Sequence, residues 1–249
     1  MRGFASLLVA GVLGLAAGSN ASVLFYDDFE SGSMSNWTNA GQALDISTEQ
    51  NKVPAGGQYS AKLDLSADGM YRNLGVELSG YSAVEYWLYD DTATRAYVEA
   101  RGYTGAGYNA GSLNQLVAFG KYNSVTMPGE TYKATKYQAR VMFSGSNLPW
   151  FNLDGPNSPN RSPGWHLFRV ERLADNTTLN FYVDGLLSRT ITGVVDASWD
   201  SVLITSVRAG TTAGNAWFDG VKVEIVPEPA SVGLLGLAAL GLLARRNRK

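Results

Sequence analysis

The sequence predicts an all-β fold: a jelly-roll β-sandwich of two antiparallel sheets over residues 22–225, flanked by an N-terminal signal peptide at 1–21 and a short C-terminal transmembrane helix within 226–249. Three observations lead there. β-rich or alternating runs recur along the middle of the chain, turn formers separate them, and a hydrophobic run lies near each end beside basic residues.

The runs lie at 23–29, 61–65, 83–89, 96–101, 136–143, 165–172, 179–183, 186–192, 201–206 and 216–225. Gly, Asn, Asp, Ser and Pro cluster between them. Asp184-Gly185, between Tyr182-Val183 and Leu186-Leu187, predicts a two-residue hairpin, because a type I′ turn needs positive φ at both central residues. No amphipathic helix longer than about two turns interrupts the pattern. With roughly a dozen strands, one open sheet would leave a face and two edges bare, so a two-sheet closure is expected. Charged residues are only 17% and aromatics 11%, which excludes a charge-rich disordered chain.

The sequence has no cysteine. Disulfides, thiolate metal sites and cysteine nucleophiles are therefore excluded. The formal charge is -2, but Arg2, Arg245, Arg246, Arg248 and Lys249 all lie in the terminal segments. Removing those five positive charges takes the charge to about -7, which opposes nucleic-acid binding.

In the N-terminal segment Arg2 precedes an apolar run over 4–17 and then small residues. Ser19 and Ala21 occupy the -3 and -1 positions of a signal-peptidase cut between Ala21 and Ser22. The second hydrophobic run, 232–244, is followed by the basic cluster 245–249. About 13 residues rise about 20 Å as a helix, short of the roughly 30 Å hydrocarbon core, which suits a temporary anchor. The basic cluster would hold it at the cytoplasmic face. Just before the run stands Val226-Pro227-Glu228-Pro229-Ala230-Ser231, a proline-stiffened, protease-accessible linker.

Pro227, Glu228 and Pro229, then a Gly/Leu/Ala-rich run, then an Arg-rich end: residues 226–249 resemble the PEP-CTERM sorting tail of Gram-negative bacteria. The resemblance implies export, transient anchoring in the inner membrane, recognition by an exosortase-type membrane protease, and final delivery to the cell surface or extracellular matrix. The central domain carries a second resemblance. Tyr26-Asp27-Asp28-Phe29-Glu30-Ser31-Gly32 with Asn36-Trp37, and Gly57-Gln58-Tyr59-Ser60-Ala61-Lys62-Leu63, are similar to the opening of concanavalin A-like and carbohydrate-binding-module jelly rolls. Gly164-Trp165-His166-Leu167-Phe168-Arg169-Val170-Glu171 with Phe181-Tyr182-Val183-Asp184-Gly185 resembles the laminin-G-type variant, and Trp217-Phe218-Asp219-Gly220-Val221 its closing strand. The resemblance implies a structural calcium between first and last strands, held by Asp28, Glu30 and Asp219 with help from Ser60. Calcium accepts six to eight oxygens, neutral carbonyls included. Asp27, Asp90 and Asp91 read as turn residues.

Sugars present apolar C–H faces and many hydroxyls, so their sites combine aromatic rings with hydrogen-bonding groups. Two segments read as loops have that mixture: 103–114, with Tyr103 and Tyr108, and 149–162, with Trp150, Asn152 and Arg161. Trp87, Trp165, Trp199 and Trp217 sit in strand patterns and are expected in the core, and Trp37 near the N-terminal edge. Catalysis is not expected. The one histidine, His166, lies in a strand pattern and reads as structural. A Glu-x-Asp-x-x-Glu run, which would aim three acids inward from one strand, is absent. The expected function is a non-catalytic surface or matrix protein that binds polysaccharide. The alternatives are a glycoside hydrolase or polysaccharide lyase of the same fold, and a purely structural matrix component.

Overall fold

The computed structural model describes residues 22–52, 57–64, 69–143, 146–194, 198–206 and 214–225. The expected signal peptide with Ala21, and the expected sorting tail with Pro227, Glu228, Pro229 and the hydrophobic run, lie outside the described residues. Among the described residues the chain forms two antiparallel sheets and no helix.

One sheet runs β13 (Leu186–Ile191), β12 (Leu179–Val183), β11 (Gly164–Arg172), β6 (Ser82–Asp90), β15 (Ala216–Ile225), β4 (Ser60–Leu63) and β3 (Asp45–Ser47). In addition β1 (Ser22–Asp27) pairs with β15, in a register that sets Ser22 opposite Ile225. The other sheet runs β10 (Ser146–Leu153), β9 (Tyr137–Phe143), β8 (Leu113–Lys121), β7 (Ala96–Tyr103), β14 (Trp199–Thr205), β5 (Gly69–Leu78) and β2 (Thr38–Asn39). The jelly-roll expectation is met.

Period-two alternation decides the faces. Val84, Tyr86 and Leu88 of β6 point inward with Phe168 and Val170 of β11 and Phe218 and Val223 of β15. They meet Val98 and Ala100 of β7, Val117 and Phe119 of β8, and Val202 and Ile204 of β14. Each fully buried apolar side chain of this kind stabilises by about 1.5–3 kcal/mol. The intervening Glu85, Trp87 and Tyr89 face outward. Asp184 (φ 52°) and Gly185 (φ 75°) make the expected I′ turn between β12 and β13.

Two expectations need correction. Segments 69–78, 113–121 and most of 146–153 are strands although the pattern did not single them out. Pro149 is accommodated because β10 is an edge of its sheet, where a missing N–H breaks no ladder. Of the four strand tryptophans only Trp199 is in the main core. The strand register puts Trp87, Trp165 and Trp217 on the outer face of the larger sheet, where Trp165, Tyr89 and Trp217 form one row across β11, β6 and β15. Tyr89 meets Trp165 edge-on at 5.4 Å and Trp217 at 5.5 Å. Trp37 behaves as expected: it is buried, stacks on Phe29 and donates from Nε1 to Asp27 at 2.8 Å.

The chain passes from the smaller sheet to the larger one between β5 and β6. Arg172, fully buried at the end of β11, fastens that passage. Its Nη2 donates to the Leu78 carbonyl (2.7 Å) and to Ser82 Oγ (3.1 Å), and its Nε to the Gly80 carbonyl (2.8 Å). The guanidinium lies 4.9 Å from the Trp199 ring. Burial lowers its pKa to about 10, so it stays charged at neutral pH. Arg172→Ala strands two carbonyls without donors, and an unsatisfied buried group costs about 1–3 kcal/mol. We expect a loss of about 3–5 kcal/mol once the cavity is included, measured by urea denaturation; a loss below about 1 kcal/mol would show that the passage is held by something else.

Candidate functional site

The smaller sheet builds a pocket at one corner. β7 ends at Tyr103 and the chain returns in β8 at Leu113. The intervening loop folds on itself through Thr104 N–H to the Ser112 carbonyl (3.0 Å), Gly105 N–H to the Ala110 carbonyl (2.8 Å) and Ala110 N–H to the Gly107 carbonyl (3.1 Å). Gly107 (φ 95°) and Gly111 (φ 77°) make this possible; a Cβ at Gly111 would stand 2.4 Å from Thr104 Oγ1. Two side chains from neighbouring strands fasten the loop. Gly107 N–H donates to Asp200 Oδ2 (3.0 Å), and Tyr108 N–H donates to Asn73 Oδ1 (2.8 Å). The Tyr108 ring stacks on Tyr71 at 4.2 Å and meets Tyr103 edge-on at 5.6 Å.

Beneath the loop β5 is bulged. Trp199 pairs with Leu78 and Ser201 with Asn73, so residues 74–77 lie opposite Asp200 alone. The surplus backbone bows outward, turning at Gly75 (φ 74°). Between bulge and loop lies a pocket of about 390 Å³, lined among others by Asn73, Val76, Glu77, Tyr103, Gly107 and Asp200. Asp200 is 7% exposed, and its Oδ1 has no hydrogen-bond partner. Glu77 accepts from Ser198 Oγ. Beside the pocket Arg101 donates to the Tyr103 hydroxyl (2.9 Å), pairs with buried Glu99 and lies 5.3 Å from the Tyr108 ring. Burial raises the Glu99 pKa, with Arg101 and Arg140 opposing. Burial likewise raises that of Tyr103, so its hydroxyl stays protonated as a donor.

The sequence-derived candidates divide. Tyr103 and Tyr108 come together, Tyr103 in the lining of this pocket and Tyr108 behind it, edge-on to Tyr103. Trp150 does not: it lies in edge strand β10, not in a loop, 7% exposed and stacked on Tyr122 at 3.9 Å with Tyr97 edge-on at 5.0 Å. Asn152 is 1% exposed and spends its amide on the Thr131 carbonyl and the Lys133 N–H. Arg161 reaches Asp90 Oδ2 (3.3 Å) and lies 5.7 Å from the Tyr137 ring. Asp90 is itself no simple turn residue: it is buried with Lys121 and Tyr137.

The calcium candidates do not assemble into a cage. Both Glu30 oxygens accept N–H groups of Gln58 (2.8 and 2.9 Å), and Oε1 also that of Tyr59 (3.0 Å). Asp28 accepts from Glu30 N–H (3.2 Å), Asp219 from Lys52 and Gly220 N–H (2.8 and 2.7 Å), and Ser60 Oγ donates to the Gln50 carbonyl (2.5 Å). Among the described residues no group of three acids, histidines or cysteines is placed to hold a metal.

His166 meets two side chains whose types suggest a hydrolytic triad. Its Nδ1 is 2.7 Å from Asp184 Oδ2, and its Nε2 is 3.1 Å from Ser162 Oγ. However, Nε2 is also 2.8 Å from the Ser162 carbonyl oxygen, which can only accept. That contact favours a proton on Nε2 as well as on Nδ1, which opposes Nε2 taking a proton from serine. Burial disfavours the charged ring, but the bonds to Asp184 and to the Ser162 carbonyl prevail and raise its pKa above 6.5. The Asp184 pKa is lowered: burial opposes, while His166 and the Leu167 N–H prevail. The arrangement is a clamp joining the β12–β13 turn to the segment before β11.

Sequence reasoning missed Asn73, Glu77 and Asp200. The available signal was Asp200 itself, an acid between Trp199 and the apolar run Val202-Leu203-Ile204.

Residues 226–249 match the family model described as the PEP-CTERM protein-sorting motif. The chain carries a PEP-CTERM sorting motif. That motif marks an exported, surface-directed protein processed by exosortase-type machinery. No curated protein matches the chain in sequence. Solved structures similar in fold include a carbohydrate esterase of the Shiga toxin-encoding bacteriophage phi24B, at 15% identity and TM-score 0.53, covering 84% of this chain and 100% of that one. Another is domain 4 of an extracellular arabinanase of Geobacillus stearothermophilus, solved in complex with arabinotriose, at 14% identity and TM-score 0.52, covering 85% and 97%. The binding domain of Paraclostridial Mosquitocidal Protein 1 matches at 10% identity and TM-score 0.53, covering 86% of this chain and 51% of that one. At these identities the likeness shows the fold.

The clamp gives a pH prediction. A raised histidine pKa contributes stability that is full below its unfolded value and is lost as pH rises through the folded value; the lowered Asp184 pKa contributes above its unfolded value and is lost as pH falls through the folded one. The clamp is therefore strongest between about pH 4 and pH 6.5. His166→Ala should cost most near pH 5, about 1–2 kcal/mol, and markedly less at pH 8. Equal losses at both pH values, measured by chemical denaturation, would sink the clamp.

Proposed function

We propose that the domain over residues 22–225 is a non-catalytic carbohydrate-binding module displayed on the surface of a Gram-negative bacterium, after transient anchoring of its tail in the inner membrane. Its glycan enters the pocket between the β5 bulge and the β7–β8 loop. The observation that carries this reading is the pocket itself: about 390 Å³, with tyrosine rings beside it and Asn73, Glu77 and Asp200 as hydrogen-bonding groups. Pockets of this size suit small ligands, and ring faces with polar neighbours suit sugars. Support for a non-catalytic role comes from His166, both of whose ring nitrogens are engaged within the fold, one by Asp184 and the other by the Ser162 carbonyl.

The test is calorimetry of the purified protein against a panel of soluble oligosaccharides, with product analysis for released reducing ends or unsaturated sugars. Binding without turnover is expected. Tyr108→Ala should weaken it about tenfold, the worth of one ring contact, without a shift in thermal midpoint above a few degrees. Turnover of any panel member would overturn the non-catalytic reading, and binding indifferent to Tyr108→Ala would move the site elsewhere.

A further inference from the structure

The charges around the pocket narrow its ligand. Two carboxylates, Asp200 and Glu77, line it, and among the described residues no lysine, arginine or histidine does. The neighbouring cation is Arg101, whose guanidinium is committed to the Glu99 carboxylate and the Tyr103 hydroxyl. Asp200 is the decisive group. It is more than nine-tenths buried, receives one hydrogen bond, from Gly107 N–H, and leaves Oδ1 with no partner. A carboxylate can accept several bonds, and a buried one short of donors is costly. Oδ1 is itself buried and the one donor sits on a glycine-rich loop, so a ligand between loop and bulge lies over an under-satisfied carboxylate, with Glu77 as the acid exposed on the bulge.

We propose that this pocket selects amino sugars with a free, protonated amine over N-acetylated and acidic sugars. The inference rests on the glycan-binding reading above and deepens it. An ammonium brings three donors and a compensating positive charge to Asp200 and Glu77. An N-acetyl group brings one donor and no charge. A uronic acid brings a third carboxylate into a site with no cation of its own, which like-charge repulsion opposes. Tyr103, the one aromatic side chain of the lining, offers an apolar surface to the sugar ring, and Tyr108 backs it edge-on.

The experiment is calorimetry of the purified protein at pH 6 with three probes of equal length: a glucosamine tetramer, its fully N-acetylated counterpart and an oligogalacturonate. The amine form should bind at least tenfold more tightly than the N-acetylated form, and the acidic probe not at all. The preference should collapse at pH 9, where the amine is largely neutral, and should shrink with added salt. Asp200→Asn should abolish the preference. Because Asp200 also fastens the loop, Glu77→Gln on the exposed bulge serves as a second variant. It should cut the preference about threefold with the thermal midpoint unchanged. Equal or tighter binding of the N-acetylated or acidic probe, still sensitive to Tyr108→Ala, would overturn charge selection while leaving glycan binding intact. No binding by any of the three, alongside none across the wider panel, would overturn both.

Discussion

A single buried cation governs how the two sheets are joined at one end. Arg172 sits inside the sandwich with no carboxylate in contact; its partners are two carbonyls, a hydroxyl and the face of Trp199. Its position fixes where β5 must stop and where β6 must begin. β5 must then fit between that fixed end and its pairing with β14, and it has more residues than the ladder needs. The excess, 74–77, is pushed outward opposite Asp200. The pocket is thus a by-product of register: one strand is pinned at its far end and is too long for its partner.

Where side-chain alternation was strong, the sequence could be read correctly. The β12–β13 hairpin follows from Val, Phe, Tyr and Leu around Asp184-Gly185, and β6 and β11 stood out as strands, although their pairing did not. β5 was illegible because Gly69, Gly75 and Arg72-Asn73 break the pattern, and Gly75 lies in the bulge itself. β10 was hidden by Pro149, which only an edge position tolerates. Face assignment failed for the tryptophans for a different reason. Apolar character tells that a residue is in a strand, but parity with its neighbours tells which side it faces. Trp165 is two residues from Leu167 and one from His166, and the core residue is Phe168; counting back by two from Phe168 lands on His166, leaving Trp165 outside.

The candidate site was half legible for the same reason. Tyr103 and Tyr108 stood out as aromatics in a glycine-rich loop. Asn73 and Asp200 are far away in sequence, and only strand order brings β5 and β14 to that loop. Trp150 misled because an aromatic next to proline reads as exposed, whereas the outer face of the smaller sheet offers it a shelter of its own. Tyr97, Tyr122, Leu116 and Ala118 form a second, minor apolar cluster there, separate from the main core.

The register of β1 against β15 has a mechanical meaning. Ser22 and Ile225 face each other, so the two ends of the domain emerge side by side. β15 is hydrogen-bonded along both its edges, to β6 on one side and to β1 and β4 on the other. Any tension applied to the chain beyond Ile225 would be felt first at that residue. The pull is resisted by a strand gripped on both sides, so that its bonds share the shear. The C-terminal strand of the domain is thus gripped along both edges, which suits it to bear load.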